Sequence, residues 1–265
     1  LGDVYKRQLD VNLDSKDART LTAAQLGVRM GAILGRHFGD QAPKIEIVDH
    51  LSSNALAGAR YIRLRKDASF SDRDVSQLVQ HEAFVHIATS LNGAAQTAFP
   101  FLAAGHAGTT RTQEGLAVFA ELISGAMDPS RMLRLADRVL AIQMAMDGAD
   151  FLELYRFFRE RTLNDFSAFE NARRIVRGGL TTGGAPFTKD SVYLEGLVRV
   201  HNFLRIAKRS LRECLVCTTV AFRRSYITRE DDDQSRKQIT EISKMCTGLQ
   251  KYLAKKPPQA PSSSN

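Results

Sequence analysis

Apolar residues recur at helical spacing over residues 17–38, where Leu21, Ala24, Leu26, Val28, Met30, Ile33 and Leu34 mark an amphipathic helix that stops near Gly39. The pattern then changes to alternation. Lys44–Val48 carries Ile45 and Ile47, Tyr61–Arg65 carries Ile62 and Leu64, and each predicts a short strand. The alanine-rich stretch between them is expected to form a short helix. Ser69-Phe70-Ser71-Asp72 reads as a cap for a long helix over residues 73–90, stopped by Asn92-Gly93. After a loop rich in Gly, Thr and Ala (99–112), further helices are predicted over 113–124 and, opened by Asp128-Pro129-Ser130, over 129–146. Three more follow over 151–161, 166–177 and 189–206, the last preceded by a glycine-rich loop at 178–186. The Pro/Ser-rich end, 255–265, has the composition of disordered chain. The pattern predicts a mostly helical α+β fold with a small sheet beside the helix that carries His81.

Composition changes this picture little. With 265 residues, 43% hydrophobic and 25% charged, the chain suits one large domain or two small ones. No apolar run approaches the ~20 residues needed to span a bilayer, and no signal peptide is evident, so a cytoplasmic location is expected. The net charge of +8 is concentrated after residue 206, where 12 Lys/Arg face 6 Asp/Glu; the preceding 206 residues hold 25 against 23. The main body is thus close to neutral, and its charge argues neither for nor against nucleic acid; no nucleic-acid or membrane partner is expected. Cys214, Cys217 and Cys246 are too few and too uneven for a disulfide framework, and the lone Cys-Leu-Val-Cys pair lacks a second pair to complete a zinc knuckle.

The chain opens on Leu, and residues 3–8 look like the translation of a sequencing-library transposon end. Residues 1–8 are read as such a scar, 9–206 as an N-terminally truncated catalytic domain, and 207–265 as a basic tail that a reading-frame error would explain.

The informative stretch is His81-Glu82-Ala83-Phe84-Val85-His86. Zinc hydrolases often place two histidines four apart on one helix face. A spacing of five puts them roughly 140° apart on an ideal α-helix, too far to share an ion. A π-type turn between Glu82 and His86 would bring both rings to one side, and Glu82 could then take a proton from the attacking water. A catalytic zinc generally has three protein ligands and an open position. Glu114, 28 residues after His86, is the first candidate for the third ligand; Glu121, on the same face, and His106, in the intervening loop, are the alternatives.

Thr112-Gln113-Glu114-Gly115-Leu116-Ala117 resembles the signature of the QEGLA-motif, flavohaemoglobin expression-modulating family, to which microtubule-associated tyrosine carboxypeptidases are related. Other pieces match in order: His81 to His86, Leu91-Asn92-Gly93, Arg174-Ile175-Val176-Arg177-Gly178, Phe187-Thr188-Lys189-Asp190 and Tyr193-Leu194-Glu195-Gly196. The resemblance implies a zincin-like metallopeptidase fold, zinc held by His81, His86 and Glu114, and Glu82 as the catalytic carboxylate. It further implies a protein or peptide C-terminal tail as substrate, by analogy with relatives that remove a terminal tyrosine.

A carboxypeptidase must also hold a terminal carboxylate and a developing oxyanion. Arg177, before the glycine loop, is the candidate for the first, because its planar fork suits a carboxylate. Lys189 and Tyr193, four apart and expected on one helix face, are candidates for substrate or oxyanion contacts. The competing expectation is a non-catalytic regulatory protein that keeps a structural metal site, and a more distant one is another metal-dependent hydrolase such as an amidase. The presence of Glu82 favours catalysis, since a structural site does not need it.

Overall fold

The computed structural model describes residues 19–162 and 164–254; the segments read as a scar (1–8) and as disordered (255–265) lie outside the described residues. The first helix, α1 (Ala23–Phe38), begins later than its spacing suggests. Leu21 is spent instead on a two-residue strand, β1 (Leu21–Thr22), which pairs antiparallel with β5 (Ser69–Phe70). Thr22 then caps the helix: its hydroxyl accepts from the Gln25 amide, and its own amide donates to Gln25 Oε1 at 2.9 Å.

Strands β2 (Lys44–Val48), β3 (Ala55–Ala57) and β4 (Tyr61–Arg65) form a sheet in the order β2-β4-β3. β2 runs parallel to β4, and β3 runs antiparallel to it. β3 corrects the expectation of a short helix in the alanine-rich stretch. Alanine's helix preference is worth less than ~1 kcal/mol per residue, and three residues cannot complete a helical turn with its bonds, whereas the β4 ladder satisfies their backbone at once. Ile62 and Leu64 are fully buried against Leu26, Met30 and Leu34 of α1, and this is the core on which the functional helix rests.

That helix is continuous but not uniform. It opens as α2 (Asp72–Leu78), capped by a reciprocal Ser71–Asp74 box, passes through a π-helical segment (Val79–Ile87), and ends as α3 (Ala88–Ala94). It ends one residue past the expected Asn92-Gly93 stop. Gly93 lies within the last turn, where any Cβ would sit 2.2 Å from the Leu102 carbonyl oxygen, so the glycine is needed for close backbone approach. A 3-10 turn (Pro100–Ala103) precedes α4 (Thr110–Ile123). Helices α5 (Pro129–Met146), α6 (Phe151–Arg159) and α7 (Asp165–Ile175) bury Ile142, Ala145, Leu154, Phe158, Ala172 and Ile175 in a second core.

The chain divides after Leu197 into two compact units. Helix α8 (Ser191–Arg223) begins in the first, and α9 (Arg229–Ala254) belongs to the second. The described part of the basic tail is thus helical. Within it, Arg236 of α9 reaches the Thr219 hydroxyl of α8 at 2.7 Å and Asp232 at 2.7 Å. Its three thiols are free, Cys214 and Cys217 exposed and Cys246 buried. Among the described residues, no helix is long and apolar enough to cross a membrane.

Asp128 shows how local chemistry fixes α5. Its carboxylate accepts from the Arg131 amide at 2.6 Å and from the Ser130 hydroxyl at 2.7 Å. Burial alone would raise its pKa, but these bonds and the Arg134 and Arg73 charges outweigh it and hold the carboxyl below its ordinary value. The stabilisation is therefore present above the unfolded-state pKa and disappears as pH falls through the depressed folded value. Asp128→Ala is expected to cost about 1 kcal/mol near neutrality. Urea unfolding across a pH series should show the gap to the parent closing below pH ~4.

Candidate metal centre

Over Val79–Ile87 the helix is widened to π geometry, as the five-residue spacing predicts, and this returns His86 to the side of His81. The two rings stand with centroids 5.0 Å apart. α4 packs along the same segment and begins three residues earlier than expected, which sets Glu114 in its second turn, away from the helix N-terminus. Glu114 Oε2 lies 3.4 Å from His81 Nε2 and 3.5 Å from His86 Nε2. One ligand atom from each of the three residues falls within a group no wider than 4.8 Å.

This donor set could hold a metal ion, and two imidazoles with a carboxylate are donor types that suit zinc. Two ligand atoms each ~2.0–2.1 Å from a tetrahedral zinc stand about 3.3–3.5 Å from one another, which matches both histidine–glutamate separations. Glu114 Oε2 is buried and has no hydrogen-bond partner, a costly state for a carboxylate oxygen that a cation would relieve. Burial opposes charge on His81, yet the Glu114 and Glu121 carboxylates beside it prevail and raise its pKa to about 9. Glu114 is also buried, and the His81 and His86 rings beside it push its pKa far down.

Glu121, the reserve ligand of the sequence reading, has another position. It is fully buried; its Oε1 accepts from His81 Nδ1 at 2.6 Å, and Arg131 clamps it with Nη2 at 2.6 Å and with Nε. The bond fixes His81 with Nδ1–H turned away and Nε2 turned toward Glu114. Arg131 carries no signal in the sequence, since its partner lies on the preceding helix. Glu121→Gln is expected to lower zinc affinity by about tenfold to a hundredfold, as measured by competition with a chelating dye. His106, the other alternative, is exposed and bonds the Phe101 carbonyl at 2.9 Å.

Glu82 points to the sheet. Its Oε2 accepts from the Ala57 amide of edge strand β3 at 3.1 Å, which steadies the carboxylate through one of its two oxygens. Lys189 lies in a 3-10 turn (Thr188–Asp190) just before α8 rather than on the helix as expected, because α8 starts only at Ser191. Its Nζ still stands 3.4 Å from Glu114 Oε1. The Tyr193 ring is 6.2 Å from that of His81. Burial first, then the Glu114 and Asp190 charges, push the Tyr193 pKa up, so the phenol stays a neutral hydrogen-bond donor. Arg177 is not brought to these residues by any contact; its guanidinium stacks over Phe187, 4.3 Å from the ring centroid.

Two glycines permit this assembly. A Cβ on Gly115 would lie 2.3 Å from the Gly196 backbone, and one on Gly196 would lie 2.3 Å from the Arg111 carbonyl oxygen. α4 and the start of α8 therefore cross in backbone contact, bringing Glu114, Lys189 and Tyr193 to one place.

Fold and site together define a mostly helical α+β protein with a buried two-histidine, one-glutamate group able to hold a metal ion. The family model for microtubule-associated tyrosine carboxypeptidase matches residues 2–224. The chain belongs to that family, which places it among peptidases of the carboxypeptidase type. No curated protein matches it.

Proposed function

We propose that the protein is a zinc-dependent carboxypeptidase that hydrolyses a peptide bond at the C-terminus of a protein or peptide tail. The observation that supports it best is the convergence of His81, His86 and Glu114 with Glu82 beside them on the same widened helix. A zinc ion held by those three residues supplies Lewis acidity, which makes water a competent nucleophile at neutral pH.

The chain's own residues do the rest. Glu82, anchored through Oε2, accepts a proton from the attacking water as its oxygen bonds to the peptide carbonyl carbon. Tyr193 and Lys189 donate to the oxygen on which negative charge develops. The C–N bond then breaks, and Glu82 returns the proton to the leaving amine. Glu121 and Arg131 keep the His81 ring in one tautomer throughout.

The test measures metal content by atomic emission and released terminal amino acids from a library of synthetic peptides. The expected result is about one zinc per chain and release of single C-terminal residues that stops on chelation and returns with zinc. Full release in the presence of chelator would refute the metallopeptidase reading.

A further inference from the structure

Asp190 is 1% exposed and lies between two guanidinium groups. Arg174 grips it with Nε and with Nη2, the latter 3.0 Å from Oδ1. Arg138, reaching in from α5, places Nη1 3.6 Å from Oδ2, too far for a hydrogen bond. Its Nε is buried and has no hydrogen-bond partner. Burial, and then the Arg174 charge, pull the Arg138 pKa down to about 10, so this cation is held where its surroundings disfavour it.

The next residue back, Lys189, directs its ammonium at Glu114. Arg174 in turn lies near enough to Glu114 for its charge to favour that of the guanidinium. Two guanidinium groups therefore share a single buried carboxylate on the flank of the candidate metal centre. One carboxylate cannot satisfy both guanidinium forks, and under-paired buried charge is costly unless a second anion arrives.

We propose that Arg138 and Arg174, held around Asp190, receive the terminal carboxylate of the peptide and so confine cleavage to the end of the chain. The proposal rests on the peptidase reading, and it assigns to this pair the role that the sequence suggested for Arg177. A carboxylate completes the set because it accepts several N–H donors at once, with charge assistance. An internal peptide bond or a terminal amide brings no such anion.

The test uses the full chain carrying Glu82→Gln and loaded with zinc, so that binding is read without turnover. Two labelled peptides are compared by fluorescence anisotropy, identical and ending in tyrosine, one with a free carboxylate and one amidated. The free acid is expected to bind about tenfold or more tightly. Adding Arg138→Gln should bring the two affinities within about twofold, while Arg177→Gln should leave the gap intact. Because both peptides are compared on the same preparation, a loss of folded protein cancels from the ratio. The assignment is overturned if Arg138→Gln preserves the gap, if it weakens both peptides equally, or if the parent shows no gap. Failure of both peptides to bind the parent would instead remove the peptidase reading, and this inference with it.

Discussion

If the proposed mechanism holds, Glu82→Gln is expected to bind zinc as the parent does and to lose turnover by about a thousandfold, the middle of the range for a positioned general base. The two side chains have nearly the same size, and the Gln amide oxygen can still accept from the Ala57 N–H that holds Glu82 now. The helix should therefore stay in place, and the three residues of the metal group are untouched. What disappears is the capacity to accept a proton from water and return it to the leaving amine. Metal content by atomic emission and release of the terminal residue should separate: unchanged metal, collapsed rate. A mutant as fast as the parent would show that another group is the base.

The second large effect concerns the metal group itself. His86→Ala leaves two of three donors, so zinc affinity should fall by several orders of magnitude and activity with it. Stability supplies an independent reading. Zinc at a thousand times its dissociation constant stabilises a folded protein by roughly 4 kcal/mol. For a chain of this length that corresponds to a rise in melting temperature on the order of 10 °C. The parent should show this rise on adding zinc, and His86→Ala should show almost none. The parent stripped by chelator should melt close to the mutant; a parent whose melting ignores zinc would argue against the site.

The residues that could be read from sequence are those whose chemistry depends on local spacing. The five-residue interval between His81 and His86 forces a choice between divergence and a widened turn, and the structure has the widened turn. The strands at Lys44–Val48 and Tyr61–Arg65 follow from alternation, because one face of each must be apolar. β3 was not legible, since three small residues carry no pattern and owe their form to β4 beside them. The partners of His81 and Asp190 were hidden for a related reason. Glu121 meets Arg131, and Asp190 meets Arg138 and Arg174, only after helices distant in sequence have packed. Arg174 and Arg177 show the limit most plainly. They lie less than one helical turn apart in the same motif, yet one grips a buried acid and the other stacks on Phe187.

The widened segment takes up its additional residue within itself, so the helix on either side keeps its phase. Removing one residue between Glu82 and His86 would let this stretch close to ordinary α geometry, with the imidazoles four apart on one face. Gly93, seven residues beyond the second imidazole, would keep its place against the Leu102 carbonyl. The additional residue is thus a local change of width: it alters the room around the paired imidazoles and leaves the bare backbone at the helix end where it was.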